Sequence, residues 1–328
     1  MKHETSIYVA GHRGMVGSAI VRKLTPLGHR NLLLRSHAEF DLIDQTATRE
    51  FFKSEKPDYV FLAAARVGGI LANSTYRAEF IHDNLVIQTN VIHAAWEAGV
   101  KRLMFFGSSC IYPRECPQPI QEQHLLSAPL EMTNRPYALA KIAGIEMCWS
   151  YNRQYGTRYT AVMPTNLYGK GDNYHPENSH VLPALIRRVH EAKLKGRSEL
   201  VVWGTGKPLR EFLYADDMAE ASVFIMNLPD DQYSRILGDE LNEPPLINIG
   251  SGQEVSIADL AKTVCRVLEY PGELVFDRSK PDGTPRKLLD TSRLSNIGWQ
   301  ASTALEDGIG QAYADFREHV VDKGYYKG

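Results

Sequence analysis

This chain of 328 residues has little of what marks several protein classes. Its four cysteines, Cys110, Cys116, Cys148 and Cys265, include no C-x-x-C pair. Thioredoxin-like and zinc readings are therefore weak, and no metal site is expected. Scattered thiols in a chain of this size fit a reducing compartment, not a disulfide scaffold. No apolar run approaches the roughly 20 residues that span a bilayer. The apolar run near the N-terminus is far too short for a signal peptide. Net charge is only −2, so neither nucleic acid nor an anionic membrane surface is expected as the main partner. Internal repeats and low-complexity tracts are also missing. The expectation is a soluble, cytoplasmic protein. A hydrophobic content of 43% and a charged content of 23% agree with a globular one.

What the first half does have is alternation. Short apolar runs at 6–10, 31–35, 59–63, 102–106 and 158–163 read as strands. Helical stretches at 15–27, 76–98 and 136–155 lie between them. Apolar strands alternating with helices predict an α/β fold with a doubly wound parallel sheet. After Met163 the pattern loosens into a loop at 168–179, rich in Gly, Asn, Asp and Pro. A helix at 180–192, a strand at 200–203, a turn at 204–208 and a helix at 215–227 follow. Shorter elements at 247–249, 256–267 and 274–276 and a basic, turn-rich segment at 278–288 complete the chain. We expect a Rossmann dinucleotide-binding domain over 1–165. Residues 166–328 are expected to form mainly a smaller α/β substrate-binding domain, with some segments returning to the first.

Between the first strand and first helix stands Gly11-His-Arg-Gly14-Met-Val-Gly17. Glycines there permit a tight turn and close backbone approach to a pyrophosphate, which the helix N-terminus then holds. The second strand ends in Arg35-Ser36-His37 where NAD binders tend to place an acid. Arg35, with Arg13 in the turn, suits a 2′-phosphate, so NADP is expected. The bland reading of Arg35 is a solvated surface charge.

Tyr137 and Lys141 are four residues apart near the start of a helix and share a face. A neighbouring ammonium stabilises a phenolate and lowers its pKa, which suits acid–base work. Ser108, at the end of the fourth strand, is placed to hold a carbonyl oxygen. A Y-x-x-x-K pair alone means little. The order of glycine turn, strand-end serine and pair is what carries weight, and it resembles the extended short-chain dehydrogenase/reductase family.

A closer resemblance rests on longer stretches. These are Gly11–Gly17, Ala63-Ala-Ala-Arg-Val-Gly-Gly69, Gly107-Ser-Ser-Cys-Ile-Tyr-Pro113 and Pro136-Tyr-Ala-Leu-Ala-Lys141. Pro164-Thr-Asn-Leu-Tyr-Gly169, Asn178-Ser-His-Val181 and Lys280–Lys287 add to them. Over nearly its whole length the chain resembles the GDP-L-fucose synthase family. That family carries out the 3,5-epimerisation and 4-keto reduction of GDP-4-keto-6-deoxy-D-mannose with NADPH. The resemblance implies Ser108, Tyr137 and Lys141 as the reductase set and Cys110 and His180 as the epimerisation acid–base pair. It implies cofactor contacts at Gly11, His12, Arg13, Gly14, Met15, Val16, Gly17 and Arg35. Further cofactor contacts are implied at Leu42, Ala63, Pro164, Thr165, Asn166, Leu167 and His180. The GDP-sugar would be held by Asn166, Arg188, Trp203, Arg210 and a residue of the basic segment, Asp282 or Lys287. Family members carry an Arg where this chain has His37, which leaves Arg13 and Arg35 for a 2′-phosphate. By analogy a homodimer is expected. A related GDP-sugar enzyme of the GDP-colitose type, or another nucleotide-sugar epimerase or dehydratase, is the alternative.

Overall fold

The computed structural model describes residues 1–238, 243–280 and 282–322. Pro281, within the basic segment singled out above, lies outside the described residues.

Six parallel strands form the first sheet: β1 (Ile7–Ala10), β2 (Leu32–Leu33), β3 (Tyr59–Leu62), β4 (Arg102–Phe106), β5 (Tyr159–Pro164) and β9 (Leu246–Ile249). Their order is β2-β1-β3-β4-β5-β9. The chain leaves β1 toward one edge and returns to build the other side from β3, so the direction of winding switches beside β1. In such sheets ligands bind outside the carboxyl ends of the strands at that switch.

Both faces of the sheet are covered, which is why its strands read as apolar runs and not as alternation. Ile7 and Val9 pack among Ile20 and Leu24 of α1 (Met15–Leu24) and Met218 of α7 (Ala215–Asn227). Tyr8 and Ala10 point the other way, among Phe51 and Phe52 of α2 (Gln45–Glu55) and Ile92 of α4 (Arg77–Glu97). A short α3 (Ile70–Thr75) precedes α4. The helix α5 (Arg135–Tyr155) lies on the α4 side and adds Ile145 and Cys148. Its Pro136 sits in the first turn, where its missing N–H costs little, and Gly156 ends it at φ 68°. On the opposite face α1 and α7 are joined by the Arg22–Asp216 and Lys23–Glu220 ion pairs.

At Thr165 the chain passes from the first sheet into a second. There β8 (Leu209–Tyr214) pairs in parallel with β6 (Asn166–Tyr168) and β12 (Arg286–Lys287), and antiparallel with β10 (Glu254–Ser256). A parallel pair, β7 (Glu199–Trp203) and β11 (Glu273–Asp277), flanks it. A separate core joins Leu185 and Val189 of α6 (Val181–Leu194), Leu260 and Val264 of α9 (Ile257–Val267) and Ile309 and Phe316 of α11 (Leu305–Phe316). The helices α8 (Asp230–Ile236) and α10 (Ser292–Asn296) complete the set.

Several sequence expectations shift. The second strand shrinks to two residues. The helix expected at 76–98 is preceded by a separate turn of helix that ends at Thr75. The strands β6 and β8 and the helices α2, α8 and α11 fall outside the elements expected from sequence.

Candidate active site

Residues that follow the carboxyl ends of β1, β3, β4 and β5 form one wall of a cleft of about 1390 Å³. The opposite wall comes from the second sheet, the flanking β7–β11 pair and their loops, including Trp203, Arg210, Asp282 and Lys287. The mouth of the switch point is thus roofed by the second half of the chain.

The glycine turn forms one end. Gly11 has φ 81°, in the left-handed region, and a Cβ there would lie 2.8 Å from the Ala64 amide nitrogen. A Cβ on Gly17 would lie 2.2 Å from the Gly11 carbonyl oxygen. Gly14 caps α1 with no side-chain bond, so backbone N–H groups of the first turn are left for a ligand. His12, Arg13, Met15 and Val16 line the cleft here. Burial pushes the His12 imidazole down, with the Arg13 charge acting in the same direction.

Arg35 and His37 line the cleft as well. Arg35 donates to Glu55 Oε1 at 2.8 Å and to the Leu34 carbonyl at 3.1 Å. It is therefore an ion-paired side chain, 36% exposed. His37 lies 3.5 Å from Asp41 in an exposed pair. Leu42 is buried against the floor, its carbonyl accepting from Asn90 at 2.9 Å. Ala63, Pro164, Thr165, Asn166 and Leu167 line the middle of the cleft.

The central group comes from three places: the turn after β4, α5 and the start of α6. Ser108 leaves β4 and caps the short turn Ser109–Ile111, its Oγ accepting from the Cys110 N–H at 3.4 Å. Lys141 of α5 is buried and donates to the Phe106 carbonyl at 2.7 Å. Tyr137, one turn earlier, is half-buried and has its ring centroid 5.6 Å from that ammonium. His180 caps α6 through its backbone and opens its side chain to the cleft. It is exposed on the cleft, and partial desolvation by the surrounding walls pushes its imidazole down.

One electrostatic expectation is corrected. The Lys141 ammonium was expected to lower the Tyr137 phenol. Instead burial pushes the phenol up, and the Cys110 thiol adds to this. Lys141 gives its hydrogen bond to a carbonyl, and its own desolvation lowers it to about 8. Burial likewise pushes the Cys110 thiol up, opposed by the Lys287 charge, the Ser108 hydroxyl and the Lys141 charge.

On the second wall, Asn166 donates to the Glu211 carbonyl at 2.8 Å, and Arg210 to the Leu209 carbonyl at 2.7 Å. Asp282 accepts from the Thr205 N–H at 2.9 Å and its hydroxyl at 2.6 Å. Trp203 is 66% exposed, with the Lys280 ammonium 5.5 Å from its ring centroid. Arg188 lies on α6, next to this wall. It does not line the cleft, and its guanidinium donates to the Val201 carbonyl, joining α6 to β7.

Glu211 was missed from sequence. It is fully buried, and its carboxylate accepts from the Gly252 N–H at 2.8 Å and the Leu289 N–H at 3.1 Å. An acid amid the apolar residues of Leu209–Tyr214 was the available signal. Among the described residues no cluster of side chains is arranged to hold a metal ion, and no helix is long and apolar enough to cross a membrane.

Residues 7–250 match the NAD dependent epimerase/dehydratase family. The chain is 57% identical over 317 residues to GDP-L-fucose synthase 1 of Arabidopsis thaliana, covering 97% of this chain and 94% of that protein. It is 53% identical over 315 residues to the GDP-L-fucose synthase of Escherichia coli K12, covering 95% and 97%. A GDP-D-glycero-L-gluco-heptose synthase from Campylobacter jejuni, solved in the presence of NADPH, superposes with a TM-score of 0.90 at 38% identity, covering 97% of this chain and 99% of that one. This chain belongs to the NAD dependent epimerase/dehydratase family and, within it, stands with the GDP-L-fucose synthases.

Proposed function

We propose that the protein converts GDP-4-keto-6-deoxy-D-mannose into GDP-L-fucose, epimerising carbons 3 and 5 and reducing the carbon-4 ketone with NADPH. The observation that carries this reading is the convergence of Ser108, Cys110, Tyr137, Lys141 and His180 in one cleft with the glycine turn. The cradle fits a dinucleotide. Side chains at Gly11 and Gly17 would meet backbone, and the uncapped start of α1 supplies N–H groups for a pyrophosphate. Arg13 and Arg35 line the cleft beside the glycine turn and are the side chains we assign to a 2′-phosphate.

The chemistry follows from the ketone. Carbons 3 and 5 flank it, so their protons are acidic. Inversion requires one group to remove a proton and another to deliver one to the opposite face. A free thiol and a free imidazole both titrate within reach of neutrality, and we assign Cys110 and His180 to those tasks, with burial pushing the thiol up and the imidazole down. Ser108 and Tyr137 hold the oxygen on which negative charge develops, as preorganised donors do. NADPH, when bound, supplies the hydride that reaches carbon 4. Tyr137 then gives its proton to the oxygen. The burial that pushes its phenol up keeps it protonated at neutral pH, as a donor must be. Lys141 holds the floor beneath Tyr137 and offers a cation to a ribose hydroxyl.

The division of labour fits a cofactor-binding unit over 1–165 and a mainly substrate-binding unit over 166–328, with β9 as the segment that returns. Asn166, Trp203, Arg210, Asp282 and Lys287 are the side chains we assign to the GDP-sugar. A cytoplasmic homodimer completes the proposal.

The test is consumption of NADPH with GDP-4-keto-6-deoxy-D-mannose. Stoichiometric oxidation with release of GDP-L-fucose is expected. Absence of NADPH oxidation by folded protein overturns the reading.

A further inference from the structure

We propose that Asn73 is a positioning residue for His180: it fixes the Gly68–Gly69 turn, and that turn grips the segment that sets the imidazole in the cleft. The inference rests on the assignment of His180 made above and deepens it.

Asn73 is 6% exposed, and an amide placed so deeply needs hydrogen bonds inside the protein. Its Nδ2 donates to the Gly68 carbonyl at 2.7 Å and to the Gly69 carbonyl at 3.1 Å. Its Oδ1 has no partner among the described residues. The reversed amide would set that oxygen against two carbonyls, so the two bonds fix its orientation. A second buried amide, Asn84 of α4, holds the chain just before the turn. It accepts from the Arg66 N–H at 3.0 Å and donates to the Arg66 carbonyl at 3.0 Å. Phe80 backs the turn, since a Cβ on Gly68 would lie 3.2 Å from its ring. That ring stands edge-on to Tyr137, with 6.2 Å between centroids.

From this turn the Gly69 N–H donates to the Asn178 carbonyl at 3.2 Å. The approach is close: a Cβ on Gly69 would lie 3.1 Å from that oxygen and 3.3 Å from the Ser179 carbonyl oxygen. His180 is the next residue, and its own carbonyl accepts from the Ala184 N–H at 3.0 Å to start α6. The imidazole thus leaves the chain between two anchors, the Gly69–Asn178 bond and the first turn of α6. The loop before it is tied to itself and to the second half of the chain. His175 Nδ1 accepts from the N–H groups of Glu177 and Asn178 at 3.2 Å each, and the Tyr174 hydroxyl donates to the Ala312 carbonyl at 3.0 Å. The Gly69 bond ties it to the first half, which carries Tyr137 and Lys141. Asn73 and His180 both line the cleft.

Asn73 itself exchanges no proton; its effect is on geometry. His180 is assigned to move a proton at a sugar carbon, and such a group has to be held within reach of that proton. A displacement of about 1 Å can cost on the order of 100-fold in rate. The Gly68–Gly69 turn reaches both sides of the reaction centre, through Phe80 to Tyr137 and through Asn178 to His180. Holding that turn therefore holds the imidazole in register with the phenol.

The first readout needs no sugar, so it stands or falls apart from the proposed reaction. The full-length protein is labelled with carbon-13 at histidine Cε1, the His180 signal is assigned with His180→Gln, and its titration is followed by NMR. Asn73→Leu roughly keeps the side chain's volume and removes both N–H groups. Desolvation is what pushes the imidazole down, so one released toward water should titrate closer to the ordinary histidine value of 6.5. We expect the His180 midpoint to move up in Asn73→Leu. The same is expected in Gly69→Ala, which presses on the Asn178 and Ser179 carbonyls. NADPH binding checks that each variant is folded, and Gly69→Ala carries the test if Asn73→Leu is not. With substrate, uptake of solvent deuterium into the sugar should fall about tenfold or more. An unchanged His180 midpoint in folded variants overturns the proposal and makes Asn73 a purely structural residue. A raised midpoint with undiminished deuterium uptake upholds the link from Asn73 to the imidazole and removes His180 from the epimerisation.

Discussion

The Lys141 ammonium donates to the Phe106 carbonyl at 2.7 Å, so the start of α5 is bonded to the end of β4 directly beneath the proposed reaction centre. Burial at that position lowers the lysine to about 8. Its charged form is then held below that pH and lost above it. We expect kcat/KM for the keto-sugar to fall as pH rises through about 8, since kcat/KM reports groups of the free enzyme. A profile still flat at pH about 10 would separate the Lys141 charge from function. Stability runs the other way. Between about 8 and the ordinary lysine value of 10.5 the unfolded chain binds more protons at this site than the folded one. This lysine therefore adds stability as pH rises through that window, and Lys141→Met should remove that contribution in urea titrations.

Tyr137→Phe removes the hydroxyl that would donate to the carbon-4 oxygen. Loss of a general acid costs on the order of 100-fold to 10,000-fold. We expect NADPH oxidation to fall by at least about 100-fold while NADPH binding is retained. Steady-state rates and a fluorescence titration of NADPH read the two. A variant that reduces the sugar at near-native rate would remove Tyr137 from its role.

Gly17→Ala places a methyl group against the Gly11 carbonyl, with no flexible side chain there to yield. Overpacking of this kind costs about 1–3 kcal/mol. The melting temperature should drop, and NADPH affinity should fall with it, because the same turn carries the pyrophosphate site. An unchanged Tm would mean that the turn relaxes freely.

Much of the first sheet was legible because its strands are buried on both faces and read as unbroken apolar runs. Arg102–Phe106 and Ala215–Asn227 coincide with the sequence expectation. The strand β8 was not legible, since the polar Arg210 and Glu211 interrupt its apolar run. The helix α2 was overlooked although Asp44 caps it, its side chain accepting from the Ala47 N–H at 3.0 Å. In the cleft, motif order located the glycine turn, Ser108, Tyr137 and Lys141. The direction of the Tyr137 shift was not legible, because it depends on how deeply the phenol is buried and on where the Lys141 hydrogen bond goes. Arg188 was assigned to the GDP-sugar by resemblance alone, and its guanidinium donates to the Val201 carbonyl.

Arg13 and Arg35 differ in a way that bears on cofactor choice. Arg35 shares its charge with Glu55, whereas Arg13 is exposed on the turn and has no ion pair within 4.0 Å among the described residues. We expect Arg13→Ala to weaken NADPH binding by about tenfold or more while leaving NADH nearly unchanged, since a hydrogen bond to a charged group contributes about 1.5–3 kcal/mol. Parallel titrations with the two cofactors check this. Equal losses for both would place Arg13 away from the 2′-phosphate.

The central claim is that one cleft both epimerises and reduces a GDP-bound keto-sugar. Its most direct test is turnover of GDP-4-keto-6-deoxy-D-mannose with NADPH in deuterated water, with the product read by NMR. The account predicts GDP-L-fucose carrying deuterium at both carbon 3 and carbon 5, with one NADPH oxidised per sugar. Label at a single carbon, or a labelled sugar formed without NADPH oxidation, would contradict it.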